Sequence, residues 1–247
     1  MANRFDVIVL SSISWSCLRH VFLALALLGL TSCAGLSQRY YSAEPIEAWV
    51  VDEKTGKPLE GVIVVAHWKL MRGTVAGRVP AGTMMLLETV TDANGRFSFP
   101  AWGPLENASE GILDHEDPML ILFKSGYRQT GLSNHYGIRA EDKPSKRKSE
   151  WSGKTIKMTR FEGTPEQYAS HVAERSRFID STLDWTWNRS WSPECNIAKT
   201  PLLAQALDRE NSEMEQRGFR KGGFLLDRSS IARLVQCGVA MPELGDR

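Results

Sequence analysis

"VVDEKTGKPLEGVIVVA", residues 50–66, and "ETVTDANGRFSFP", residues 88–100, decide the fold of this chain. Each sets turn-forming residues between β-rich runs. In the first, Glu53-Lys54-Thr55-Gly56-Lys57-Pro58 separates Ile46–Asp52 from Gly61–Trp68, and the second run is apolar enough for a core strand. In the other stretch, Asp92-Ala93-Asn94-Gly95 predicts a hairpin turn, because Asn-Gly tolerates the positive φ angles such turns need. Arg96-Phe97-Ser98-Phe99 then alternates, which puts both phenylalanines on one face to fill a core between sheets. Replacing Gly95 with valine would force a β-branched residue into positive φ and destabilise the domain.

Working outward, Met84–Thr91, Met119–Tyr127 and Lys154–Phe161 read as further strands. Residues 69–82 hold three glycines and a proline and read as a long loop, and 101–117 and 132–152 as two more long inserts. Together these residues resemble the carboxypeptidase regulatory-like domain, a transthyretin-like β-sandwich. That family opens with a strand, a T-G-x-P-L-x-G-V turn and a second strand. Its second marker is a T-D-x-x-G-x-F hairpin, matched by Thr91, Asp92, Gly95 and Phe97. The resemblance spans residues 45–161 and implies an antiparallel β-sandwich; its departures are the three inserts. Long loops on a rigid sandwich are where function tends to reside.

From Gly163 the period becomes helical, which predicts a helical C-terminal region over 162–247. Thr164-Pro165-Glu166-Gln167 offers an N-cap, a proline at the first helical position and a capping-box glutamine. Tyr168, Val172, Arg175, Ile179 and Leu183 follow at helical spacing. A second Thr-Pro start at Thr200-Pro201 opens a helix to Arg217, and Asp227–Gln236 reads as a third.

The amino terminus sets the address. Val21–Leu30 is an apolar run of ten residues, whereas about 20 are needed to cross a bilayer as a helix. Ten suits a signal-peptide apolar region, and Arg19 and His20 stand just before it. From residues alone, a buried strand ending in a core cysteine remains the alternative. Leu30-Thr31-Ser32-Cys33 resembles the lipobox of bacterial lipoproteins, which implies removal of residues 1–32 and acylation of Cys33. Several acyl chains hold a protein firmly to a membrane. Ala34, where aspartate is the usual inner-membrane retention signal, points to the outer membrane, facing the periplasm. Residues 33–44 then read as a tether.

Without the leader the charges balance. The chain has 30 Lys+Arg and 29 Asp+Glu, and removing Arg4, Arg19 and Asp6 leaves 28 of each. No basic face for nucleic acid is expected. Cys195 and Cys237 are left as a pair in a compartment where disulfides persist, and either bridge or stay as buried thiols.

Candidate sites are few. Asp114-His115-Glu116-Asp117 gathers ligand-type side chains that suit calcium or zinc, but with no spaced partner set a solvated loop is the favoured reading. Trp185, Trp187 and Trp191 offer a stacking platform for sugars or a packing core. Lys143, Lys146, Arg147 and Lys148 form a basic loop near Trp151. His171 and Glu174 mimic the first two zinc ligands of carboxypeptidases, yet no histidine follows to complete the set. Tyr127-Arg128 begins like the Tyr-Arg-Gly-Ser signature of transthyretin-like hydrolases but continues Gln129-Thr130. Neither a nucleophile elbow nor a phosphate-binding glycine loop occurs. The expectation is a non-catalytic, lipid-anchored envelope protein without cofactor that meets an envelope protein partner. A module binding a small ligand, glycan or metal is the alternative.

Overall fold

The 50–66 stretch folds around alternating burial. In a computed structural model that describes residues 40–114, 116–135, 145–183 and 196–219, Ile46, Ala48, Val50 and Asp52 point inward along one strand. In chain order the strands are β1 (Tyr40–Ala43), β2 (Ile46–Asp52), β3 (Ile63–Thr74), β4 (Gly77–Val90), β5 (Arg96–Phe99) and β6 (Trp102–Glu106). The rest are β7 (Ile112–Leu113), β8 (Met119–Phe123), β9 (Thr130–Leu132), β10 (Lys146–Arg147) and β11 (Thr155–Met158). Two helices follow, α1 (Pro165–Leu183) and α2 (Pro201–Gln216), with a 3-10 turn, Asn196–Lys199, ahead of the second. The chain is mainly β, in three sheets ordered β10-β1-β6, β11-β2-β5 and β4-β3-β8-β9, with β7 paired to β3.

Both predicted turns form. Asp92 closes its hairpin by accepting the Asn94 and Arg96 amides, each at 2.9 Å. Phe97 and Phe99 are buried together and meet edge-on at 5.8 Å. Their core also takes Val50, Val64, Ala66, Trp68, Leu120 and Ile156, so it lies between the β2 and β3 sheets.

In β3 every residue from Val64 to Trp68 is buried, because its sheet is covered twice. Val64, Ala66 and Trp68 face the sandwich core, while Val65 meets Ile121, Ile179, Leu183, Leu203 and Leu207 in a second cluster. A strand covered on both faces loses its polar alternation, which is why Gly61–Trp68 reads as continuously apolar.

The expected loop at 69–82 is instead the outer half of the β3–β4 hairpin, which turns at Val75-Ala76. Its glycines and proline serve strand irregularities. Ala81 is left over where Leu70 pairs with Gly82 and Met71 with Pro80, a bulge in the register. Pro80 sits on an edge strand, where its missing N–H breaks no ladder. The tether also ends early. Tyr40–Ala43 pairs with β6 and β10, so the two other inserts and the tether's last residues build the third sheet.

The first helix starts as predicted: Gln167 Oε1 accepts the Thr164 amide at 2.9 Å and Thr164 Oγ1 accepts the Gln167 amide at 3.3 Å. The second also starts where predicted, at Pro201, but its free amides are met from outside the segment. Thr200 makes no side-chain cap. Glu88, on β4, accepts the Leu202 and Leu203 amides at 2.9 and 2.7 Å instead. A carboxylate at a helix N-terminus satisfies free amides and suits the macrodipole, so this contact pins α2 to the sheet. Among the described residues no helix is long and apolar enough to cross a membrane.

Candidate functional site

At one end of the sandwich the β2–β3 turn, the segment after β8 and the residues after β11 enclose a cleft of about 640 Å³. Its floor is Asp52, the last residue of β2. One carboxylate oxygen accepts the Lys54 amide (3.1 Å), the Thr55 amide (2.8 Å) and the Thr55 hydroxyl (3.0 Å). The other accepts the hydroxyl of buried Tyr127 at 2.9 Å. Those bonds, the Thr55 amide first, hold the Asp52 carboxyl below its ordinary range, while burial and Asp52 push the Tyr127 phenol up.

Tyr127 pairs across a short antiparallel bridge with Arg160, which donates to the Tyr127 hydroxyl at 3.1 Å and lies 5.1 Å from its ring centroid. Beside it, the Arg128 guanidinium lies 5.2 Å from the Phe161 ring. Phe161 stacks in turn on His171 of α1 at 5.0 Å and meets Tyr168 edge-on at 5.1 Å. His171 also approaches the Tyr127 carbonyl, at 3.3 Å, and burial lowers its pKa.

The charges at the cleft are unevenly committed. Asp52 is saturated, Glu53 accepts the Thr159 hydroxyl at 2.6 Å, and Glu162 pairs with Lys54 at 3.3 Å. Lys57, Arg128 and Arg160 also line the cleft, and none has a carboxylate within 4.0 Å among the described residues. The acids are therefore occupied and three cations keep free N–H groups.

Behind the cleft lies a buried polar cluster joining both helices to the sheet. Glu210 of α2 receives Arg175 and Tyr168 of α1 and, at 2.9 Å, the Ser125 hydroxyl. The Tyr168 hydroxyl also accepts the Gly126 amide at 2.8 Å, and Arg175 lies 4.6 Å from the Phe123 ring centroid. Burial brings the Arg175 pKa down to about 10.

Of the residues singled out from sequence, Tyr127 and Arg128 line this cleft and His171 packs behind it, while the other described ones lie elsewhere. Asp114 pairs with Arg78 at 3.1 Å. Asp117 is buried, accepts the Lys69 and Asp114 amides at 3.0 and 2.9 Å, and is raised well above the carboxylate range, by burial above all. These bonds make the acidic loop a structural corner. Among the described residues no three His, Cys, Asp or Glu side chains are grouped to hold a metal. In the basic loop, Lys146 and Lys148 both reach Glu44, at 3.2 and 3.4 Å, and Arg147 is buried. Cys33, His115, Lys143, Trp185, Trp187, Trp191, Cys195, Cys237 and the expected third helix lie outside the described residues.

Sequence reasoning missed the cleft, because its walls are 52–59, 127–128 and 159–162. Two signals were available: the aspartate-x-x-threonine-glycine turn ending a core strand, which marks a self-bonded turn rather than a binding site, and Tyr127-Arg128, noticed only for its likeness to a hydrolase signature.

No family model matches the chain, and no curated protein matches it. Solved structures with a likeness include the 3-chlorocatechol 1,2-dioxygenase of Rhodococcus opacus 1CP, at 12% identity and a TM-score of 0.29. That alignment covers 49% of this chain and 61% of the dioxygenase. A streptococcal ancillary pilin aligns at 14% identity and TM-score 0.23, over 51% of this chain and 30% of its own. The 9R-lipoxygenase of Cyanothece PCC8801 aligns at 13% identity and TM-score 0.20, over 80% of this chain and 31% of its own.

Proposed function

We propose that this chain is a lipid-anchored protein of the bacterial cell envelope that acts by binding rather than by catalysis. In this reading residues 1–32 are removed, acyl chains on Cys33 hold the protein to the outer membrane facing the periplasm, and a carboxypeptidase regulatory-like sandwich meets an envelope partner. The motif order supports the sandwich assignment: a 53–58 turn, the 92–95 hairpin and a closing strand beside β2.

The observation that carries the non-catalytic reading is the state of Asp52. A carboxylate accepting four hydrogen bonds and held below its ordinary range is a poor proton acceptor at neutral pH. His67, the most buried histidine among the described residues, is pushed down to about 3 by burial and faces the Thr83 hydroxyl at 3.1 Å, away from solvent.

Anchoring is tested by feeding cells an alkynyl fatty acid and comparing wild type with Cys33→Ser. Wild type takes the label and sediments with outer membranes; the variant loses both properties. Labelling that survives the substitution overturns the assignment. In that compartment Cys195 and Cys237 form a disulfide, so alkylation before reduction blocks neither thiol. Two alkylated cysteines in the unreduced protein count against the bridge.

The small-ligand reading is favoured by one feature, the cleft with its uncommitted cations.

A further inference from the structure

We propose that the cleft formed by Asp52–Leu59, Tyr127-Arg128 and Thr159–Glu162 is a binding site for a small hydroxylated carboxylate of the sugar-acid class. The proposal deepens the binding reading above.

The first argument is charge. Each acid of the cleft is engaged by a donor of the protein itself, whereas Lys57, Arg128 and Arg160 have no carboxylate partner. An incoming anion meets unsatisfied donors, with four cations (Lys54, Lys57, Arg128 and Arg160) lining the cleft against three acids (Asp52, Glu53 and Glu162).

The second argument is preorganisation. Both guanidiniums lie against aromatic rings, Arg160 on Tyr127 at 5.1 Å and Arg128 on Phe161 at 5.2 Å. A ring restricts where a guanidinium can lie; Arg160 gives one Nη2 hydrogen to the Tyr127 hydroxyl, and the N–H groups left on the two planar forks suit a carboxylate. Lysine alone would favour any compact anion; fixed arginines select for a planar one. Tyr127 is itself held by Asp52 and beneath Arg160, so the platform exists before any ligand arrives.

The third argument concerns the rest of the lining. Thr55 and Thr159 donate their hydroxyl hydrogens to Asp52 and Glu53; the Thr55 oxygen also accepts the Lys57 amide at 3.3 Å, and the lone pairs left on the two oxygens can accept from a ligand. Lys57 supplies donors without fixed direction. Pro58 and Leu59 add an apolar patch beside these polar groups, so the lining can meet both the C–H face and the hydroxyls of a sugar ring, and about 640 Å³ accommodates one or two such rings.

The test is calorimetric titration of the full protein, purified from membranes in detergent, with glucuronate. Glucose, inorganic phosphate and a short peptide with a free carboxyl terminus serve as comparison probes. Glucuronate is expected to bind at least tenfold more tightly than glucose or phosphate. Arg160→Gln and Arg128→Gln should each weaken it at least tenfold, as expected for loss of a charge-assisted pair. Because Arg160 also bonds Tyr127, Lys57→Gln is the safeguard: its side chain makes no framework bond, and it should weaken glucuronate severalfold with unchanged melting.

Equal binding of glucose and glucuronate overturns the proposal. So does phosphate binding as tightly as glucuronate, which would mean charge alone is read, or a preference for the peptide. Affinity unchanged in all three variants moves the site elsewhere and also overturns it. A failed titration with intact Cys33 labelling refutes the cleft alone, whereas lost labelling with intact titration refutes the anchor alone.

Discussion

Gly95→Ala isolates how tightly the second hairpin is locked to the first. Gly95 has φ +71°, and a Cβ there would stand 2.3 Å from the Val50 carbonyl oxygen and 3.1 Å from the Leu59 amide nitrogen. Both are backbone atoms already bonded to each other, Leu59 N to Val50 O at 2.9 Å, and Val50 N donates to the Gly95 carbonyl at 2.8 Å. Neither neighbour can swing away as a side chain would. Left-handed backbone costs alanine about 1–2 kcal/mol. Displacing the Val50 carbonyl weakens two hydrogen bonds, each contributing about 0.5–1.5 kcal/mol. The sum is about 3 kcal/mol. Gly153 is the control, with φ +78° and no atom within 4 Å of its added Cβ, so Gly153→Ala carries the backbone term alone, about 1 kcal/mol. Urea unfolding followed by tryptophan fluorescence measures both, and the midpoints should shift without a change in slope. If Gly95→Ala falls within about 0.5 kcal/mol of Gly153→Ala, the close approach of the two turns is wrong.

Buried His67 stays neutral down to about 3, while the unfolded histidine takes a proton near 6.5, so stability falls as pH drops through that window. The slope is about 1.4 kcal/mol per pH unit for one proton. Asp117, raised by burial, acts oppositely and favours the fold toward low pH, so comparison with His67→Gln is needed to isolate the histidine. The variant's stability should fall less steeply on acidification, by close to one proton; parallel pH profiles would contradict this. For the buried cluster, Arg175→Met leaves the Glu210 carboxylate without its cation and should cost about 3–5 kcal/mol. Adding Glu210→Leu should restore part of that loss, and a double variant no more stable than Arg175→Met alone would show that the two groups act separately.

Local chemistry was legible in the sequence, and remote contacts were not. The turn closed by Asp92 and the box at Thr164–Gln167 are each complete within five residues, so residue type and spacing are enough to predict them. The 69–82 stretch misled because glycine and proline mark loops on average, whereas here they stand on an edge strand at a bulge and a hairpin tip. Thr200-Pro201 predicted where the second helix begins, but not that Glu88, 114 residues before Leu202, takes its free amides. Asp114 and Asp117 looked like ligands because their types suit a metal. Their bonds to Arg78 and to the Lys69 amide depend on the β3–β4 hairpin lying alongside. The cleft needed the Tyr127–Arg160 bridge, which no local pattern encodes.

The aromatic stacking also explains why the helical layer bears on the cleft. Fixing a long arginine side chain costs up to about 2 kcal/mol of rotamer entropy, and an exposed cation–π contact contributes only about 0.5–1 kcal/mol. Arg128 on Phe161 is therefore not held for stability. Its position depends on Phe161, wedged against His171 and Tyr168 of α1, and Tyr168 in turn bonds Gly126 just before the cleft wall. The sandwich supplies Asp52, Tyr127 and Arg160, and α1 supplies the surface that orients Arg128. Removing Glu210 of α2, which holds Arg175 and Tyr168 of α1, should then disturb the cleft from a distance, lowering ligand affinity through Arg128 while the Asp52–Tyr127 floor stays in place.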